Sequence, residues 1–290
     1  MKSLVEPEIL RYAAFAAAEG GGNPAGIVLD AAELSDAEML RIAARVGYPE
    51  TAFVTSISTE LRGLIVGIRY WSPAAEVPFC GHATVATAVA LAERYSIESI
   101  VFDTEVGEVS LAVENTDDGV RVSFTSVQPH VRAMPSDVTD RVLDLLGLRA
   151  GDLHPDFPAR EAFAGNWHPM LVLRDAEIFN QFRFAPAPVA EMMRERGWAG
   201  TITVLHPVAE DEFVARNIFP VGRINEDPAT GSAAAATGAY LREIGRVPPS
   251  RAVHHIHQGA HVGRPSLLEV SIPEHNGIVV SGTAKLILHE

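Results

Sequence analysis

The chain has 290 residues, 47% of them apolar and 21% charged, enough to bury a substantial core and to form two domains. Lys and Arg number 23 against 37 Asp and Glu, a formal net charge of −14. Such a surface repels phosphate backbones and anionic lipid and so excludes nucleic-acid and membrane partners from the expectation.

The first half of the chain reads as short strands interrupted by two helices. Strand candidates lie at 26–29, 52–56, 64–70, 100–104, 109–113 and 120–125, and several of them alternate apolar and polar residues as a half-buried antiparallel strand should. A helix is expected over Asp36–Val46, with Ser35 as N-cap, Glu38 completing a capping box and Gly47 closing it. An Ala-rich helix is expected over 83–95, directly after Gly81 and His82. A Pro-bearing stretch at 127–135 divides the chain and a helix follows at 136–146. A second Ala-rich helix is expected from Ser232 to Gly245. No uninterrupted apolar run of about 18 residues suggests a transmembrane helix. No signal-peptide pattern opens the chain, so the expected location is the cytoplasm.

The two halves echo each other. Gly22-Asn23-Pro24 leads into an apolar run, and Gly165-Asn166, 143 residues on, leads through Pro169 into another. Arg69 to Pro73 precedes Pro78-Phe79-Cys80-Gly81-His82-Ala83, and Arg216 to Pro220 precedes Pro228-Ala229-Thr230-Gly231-Ser232-Ala233. The arginines lie 147 residues apart and the glycines Gly81 and Gly231 lie 150 apart. A period of this size indicates two copies of one domain rather than a solenoid. The expected class is α+β with two similar domains, residues 1–128 and 129–290, with the C-terminal strand able to return to the first. The cleft of such a pair is the natural seat of chemistry.

Both glycine turns stand at helix starts, where unpaired backbone N–H groups and the helix dipole favour an anion or a developing oxyanion. Each alone is an ordinary N-cap; the matched pair points to function. Glu226 and Asp227 precede the second turn and Glu76 precedes the first, so acids flank both. Glu50, in Tyr48-Pro49-Glu50-Thr51-Ala52-Phe53-Val54, enters a strand from a connector and is a candidate proton carrier. His82 offers a hydrogen bond to a substrate oxygen or caps its own helix. Cys80 is the chain's one cysteine, which excludes an intrachain disulfide, a cysteine-based zinc site and any mechanism that needs two thiols. His254, His255, His257 and His261 form a metal-like cluster in which, on a strand, His255 and His257 share one face with His254 opposite. No neighbouring Asp, Glu or Cys was expected to complete that set, so no metal is assigned. Dinucleotide, Walker and nucleophile-elbow motifs are absent.

Together these segments resemble the PhzF-like phenazine-biosynthesis isomerase family, which shares the diaminopimelate epimerase fold. The resemblance rests on Gly22-Asn23-Pro24-Ala25, Pro49 to Val54, Glu76 to Thr84, Glu226 to Ala233, and Gln258-Gly259 with Gly263 to Ser266. It implies two pseudo-symmetric domains, each a mostly antiparallel sheet wrapped around a central helix. It also implies a cofactor-free isomerase that forms a homodimer and acts on a small carboxylate-bearing metabolite. By motif position Glu50 is the acid/base, and His82, Asp227 and Ser232 orient the substrate. Asn23, Gly81, Thr230 and Gly231 are substrate-binding positions. The two-thiol epimerases of this fold carry one cysteine per half; here the second half has none. That favours one carboxyl moving a proton between carbons over two-base epimerisation. Open alternatives are a catalytically silent small-acid binder, a racemase using Glu50 with Cys80 as its one thiol, and a histidine-based metallohydrolase.

Overall fold

The computed structural model describes residues 7–61, 63–117, 119–222, 224–247 and 253–288; the outermost ends of the two expected domains lie outside them. The first half runs β1 (Leu10–Ala14), β2 (Asn23–Val28), α1 (Asp36–Val46), β3 (Glu50–Glu60), β4 (Gly63–Trp71), β5 (Glu76–Val77), α2 (Gly81–Arg94), β6 (Ser99–Thr104), β7 (Gly107–Thr116) and β8 (Gly119–Thr125). The second runs β9 (His130–Ala133), α3 (Ser136–Leu145), β10 (Arg160–Phe163), β11 (Trp167–Val172), α4 (Ala176–Gln181), α5 (Pro186–Arg196), β12 (Ile202–Ala209), β13 (Glu212–Ile218) and β14 (Glu226–Asp227). It continues with α6 (Gly231–Glu243), β15 (Val253–Gln258), β16 (Ser266–Ser271), β17 (Val279–Gly282) and β18 (Ala284–Leu286). The chain divides into two compact units, 1–16 with 22–124 and 282–290, and 17–21 with 125–281.

The same pairing order occurs in each unit. In the first, β1 and β2 are antiparallel, β2 and β3 parallel, and β3 and β4 antiparallel. Then β4 and β6 are parallel, and β6, β7 and β8 form an antiparallel meander. In the second, β10 and β11 are antiparallel, β11 and β12 parallel, β12 and β13 antiparallel, β13 and β15 parallel, and β15 to β17 antiparallel. Each parallel pair needs a crossover, and a helix supplies it every time. The outer strand on β1 is β18, from the end of the chain, while β9 takes that place on β10.

The Ala-rich helices are the centres of the sheets. Every residue from His82 to Leu91 of α2 is buried, and in α6 so is every residue from Ala233 to Leu241. Side chains this small let strands close in on all sides, which explains a helix that is apolar all round. The threonines among them are satisfied locally: Thr87 donates to the Ala83 carbonyl at 2.7 Å and Thr237 to that of Ala233 at 2.8 Å.

Helix α1 forms as its sequence dictates, with the Ser35 N–H donating to Glu38 at 2.9 Å and Gly47 left-handed at φ 74°. Its apolar face of Met39, Ile42 and Ala43 packs on Val28, Phe53 and Trp71. In the second unit α3, α4 and α5 cover the sheet instead, setting Val142, Phe179, Val189 and Met193 against Leu171, Val204 and Ile218. Helices α4 and α5 lie outside the elements expected from the sequence, and α5 carries two prolines, Pro186 and Pro188, in its first turn. Pro186 sits at the first helical position, where its missing N–H costs nothing. Asp175 caps α4, accepting from the N–H groups of Glu177 and Ile178.

The pairings keep the first landmark of the echo. Arg69 pairs with Phe53, which pairs with Val28, and Arg216 pairs with Val204, which pairs with Leu171. Val28 and Leu171 are therefore equivalent, which carries Asn23 onto Asn166, and Pro169 stands two residues beyond the place of Pro24.

Candidate active site

Glu50 begins β3, four residues after the end of α1 at Val46 and past the turn through Gly47, Tyr48 and Pro49, and it lies beside Ala25 of β2. Cys80 is the N-cap of α2 and His82 is its second residue, so strand and helix bring three reactive side chains together. Glu50 Oε2 lies 3.5 Å from the Cys80 sulfur, which donates to it, and 3.4 Å from His82 Nε2. The sulfur is 3.3 Å from His82 Nδ1 and 3.8 Å from Nε2. Cys80 and His82 are buried, whereas 24% of the Glu50 side chain remains exposed, so a substrate can reach the carboxyl. Asn23 is buried on β2, and Gly81 opens the helix between the thiol and the imidazole.

Glu76 takes no part in this group. It forms a two-pronged ion pair with Arg69, at 2.6 and 2.7 Å, which holds β5 to β4. Glu226 does the same with Arg216 at 2.5 and 3.1 Å. These two acids are structural counterparts; the position matching Asp227 is Val77, which carries no charge.

In the second unit the corresponding turn is built from neutral donors. Asp227 accepts the Thr230 hydroxyl. Gln258, buried on β15, binds this turn from three sides. Its Nε2 donates to the Asp227 carbonyl at 2.6 Å and to the Thr230 hydroxyl at 3.0 Å, and its Oε1 accepts the Thr230 N–H at 3.2 Å. Gly259 follows at φ 80°, where a Cβ would fall 2.3 Å from the Arg264 carbonyl oxygen. Ser232 Oγ sits 3.0 Å from Nε2 of the fully buried His168. His168 Nδ1 in turn lies 3.0 Å from both the Thr201 N–H and its hydroxyl. That hydroxyl donates to Asn217 Oδ1 at 2.8 Å, which also accepts from Thr203. Burial pushes the His168 pKa down to about 4, so the ring is neutral near pH 7.

The pairing also fixes equivalence. Arg69 pairs with Phe53 and Arg216 with Val204, so Thr201 stands where Glu50 stands. Likewise Thr230 matches Cys80 and Ser232 matches His82. One half therefore presents a carboxyl, a thiol and an imidazole, and the other presents three hydroxyls at the same places. His168 and Gln258 were missed as site residues. His168 carries no local motif signal, and Gln258 was read only as part of a strand pair.

The histidine cluster behaves differently from expectation in one respect. His254 is buried on β15 while His255 and His257 are half-buried on its other face, as strand alternation requires. A carboxylate does lie beside it: Glu212 of the parallel neighbour β13 is 2.8 Å from His257 Nε2. It is still a pair and not a triad. Among the described residues, the group of three metal-ligating side chains within mutual reach is Glu50, Cys80 and His82. That group mixes ligands from a strand and a helix, a combination distinct from the cysteine-only sites that a single cysteine excludes.

A duplicated sheet wrapped around a central helix, with a glycine turn at the start of each helix, defines the diaminopimelate epimerase-like fold class. The family model of phenazine biosynthesis-like proteins matches residues 12–289. An uncharacterized isomerase of Deinococcus radiodurans is 37% identical, over 90% of this chain and 85% of that protein. The uncharacterized isomerase YfhB of Bacillus subtilis is 30% identical, over 96% of each chain. The crystal structure of a PhzF-family phenazine biosynthesis protein from Bacillus anthracis superposes with a TM-score of 0.80 at 25% identity, over 96% of each chain. The chain belongs to the phenazine biosynthesis-like protein family, and it is an isomerase. No helix among the described residues is long and apolar enough to cross a membrane.

Proposed function

We propose that the protein moves a proton between two carbons of a small carboxylate-bearing metabolite, without a cofactor, using Glu50 as the single acid/base. Glu50 removes a proton next to an unsaturated or carbonyl system and returns it to another carbon on the same face. His82 donates a hydrogen bond to oxygen charge that develops between the two steps, and the N–H groups at the Gly81 turn add to it. Asp227 and Ser232 orient the substrate, and Asn23, Thr230 and Gly231 are binding positions. The homodimer, the cytoplasmic location and a biosynthetic role belong to the same reading.

The observation that carries it is the distribution of titratable groups. The carboxyl at position 50 has a hydroxyl, Thr201, as its counterpart, and the thiol and imidazole beside it are likewise matched by Thr230 and Ser232. A two-base epimerase needs a proton acceptor from each half; this arrangement supplies one reactive cluster. The racemase alternative with Cys80 as second base fares worse on distance. Two bases on opposite faces of a carbon, each about 3–3.5 Å from it, stand roughly 6–7 Å apart. The Cys80 sulfur is 3.5 Å from the Glu50 carboxyl, too close to admit a carbon between them.

The test is solvent deuterium incorporation, followed by mass spectrometry, into a panel of small unsaturated and amino carboxylates. Wild type is expected to label a member of the panel and Glu50→Gln to lose at least about a thousandfold in rate, within the range general acid–base catalysis supplies. Full activity of Glu50→Gln on that substrate sinks the assignment. Binding by calorimetry with no label from either protein favours the silent-binder alternative.

A further inference from the structure

We propose that Glu50, Cys80 and His82 are also a binding site for a thiophilic divalent cation, zinc in particular, and that its occupation silences the carboxyl. The binding part stands on geometry alone; the silencing part rests on the Glu50 reading above. With Zn–S of about 2.3 Å and Zn–N and Zn–O of about 2.0–2.1 Å, the ligand atoms of a tetrahedral site stand about 3.3–3.6 Å apart. The three edges here are 3.5 Å from sulfur to Oε2, 3.4 Å from Nε2 to Oε2 and 3.8 Å from sulfur to Nε2. The edges match, but the sulfur lies nearer to Nδ1, at 3.3 Å, than to Nε2, so the His82 ring has to rotate to aim its Nε2 lone pair at an ion held between the three. The ligands sit on elements that do not rearrange easily, two at the start of the buried helix α2 and one at the start of β3.

The donor set selects the ion. One sulfur, one imidazole nitrogen and one carboxylate oxygen suit zinc or cobalt, and suit magnesium or calcium poorly. On binding, the Cys80 thiol releases its proton to solvent as the S–metal bond forms. His82 keeps a proton on Nδ1 and gives the Nε2 lone pair, and Glu50 gives one oxygen. Water takes the fourth position on the partly exposed Glu50 side, leaving a closed-shell ion with no change of oxidation state. The carboxyl oxygen that would collect a substrate proton is then engaged by the metal. The equivalent residues of the second unit, Thr201, Thr230 and Ser232, are hydroxyls and offer no such site.

Cobalt titration of chelator-stripped protein tests this directly. Because Cys80 is the only cysteine, a near-ultraviolet sulfur-to-cobalt charge-transfer band identifies the ligand in the wild type without any substitution. One equivalent of cobalt is expected to produce that band together with the intense visible absorption of a four-coordinate ion, and one equivalent of zinc to bleach both. Cys80→Ser is expected to lose the band, and His82→Ala to bind zinc about tenfold or more weakly, with unchanged far-ultraviolet circular dichroism in both. Absence of a sulfur band at stoichiometric cobalt overturns the proposal, as does equal zinc affinity in wild type and Cys80→Ser, which would place the ion at His257 and Glu212. The two readings fail separately. Cobalt bound with full proton exchange in Glu50→Gln removes the function and keeps the site. No band alongside Glu50-dependent exchange does the reverse.

Discussion

Ser232 and His82 hold the same place in the two halves, one residue past the glycine that starts each central helix, but they are held differently. His82 is in contact with groups that can change charge, Cys80 and Glu50. Ser232 is fixed from behind by His168, which Thr201 and Asn217 fix in turn. The ring packs directly on the backbone of Gly200, where a Cβ would fall 2.6 Å from its Cε1. His168 therefore acts through Ser232 as a positioning residue. Ser232→Ala is expected to lower kcat/KM for proton exchange by roughly tenfold to a hundredfold, the worth of one hydrogen bond to developing charge. His168→Ala is expected to cost about as much, and the double variant no more than either single one. A double variant whose losses multiply would show that His168 works independently of the serine. Gly200→Ala provides a second check, since it moves the ring without removing it.

The short strands β5 and β14 are built alike but buried unequally. The Arg69 and Glu76 side chains remain 33% and 32% exposed, whereas Arg216 and Glu226 are 4% and 11% exposed. Arg216 also donates to the carbonyls of Phe179 and Phe182, each at 3.1 Å, and lies over the Phe182 ring. Removing one partner of a buried pair strands a charge, so Arg216→Ala is expected to cost about 3–5 kcal/mol in urea unfolding. The half-exposed pair is screened by solvent, and Arg69→Ala is expected to cost about 1 kcal/mol or less. Equal losses would show that burial does not decide the matter. The matching arginines were legible in the sequence, and so were both glycine turns and the ends of α1, since caps and left-handed glycines are local signals. What separates the two ion pairs was not legible. It depends on α4, whose carbonyls receive Arg216, and α4 follows from a single Asp175 cap rather than from apolar periodicity. Glu50, Cys80 and His82 could each be named as candidates from their motifs, but their convergence is a long-range contact between a strand and a helix. His168 could not be named, because its contacts with Thr201 and Ser232 are long-range and leave no local motif.

At the scale of the whole molecule, buried neutral histidines make the fold sensitive to acid. Burial lowers the pKa of His168 from 6.5 to about 4 and pushes that of His254 down as well. A histidine whose folded pKa lies below its unfolded value is protonated first in the unfolded chain. Its effect on stability is therefore nil above pH 6.5, and stability is lost progressively as pH falls from 6.5 toward 4. For His168 the loss amounts to about 3 kcal/mol across that window. His254 adds to it in the same direction, with neither ring nitrogen hydrogen-bonded to offset its burial. The carboxylates do not mimic this effect, because in the unfolded chain they take up protons mainly below about pH 5, whereas the histidine loss begins above pH 6. Urea unfolding at a series of pH values from 7 down to about 4.5 separates the two. Wild type is expected to lose stability from pH 6.5 downward, and His168→Asn, which keeps a polar group against Thr201 but cannot titrate, is expected to have a flatter profile despite lower stability at pH 7. Parallel profiles for the two proteins would show that the ring is not what makes the fold yield to acid.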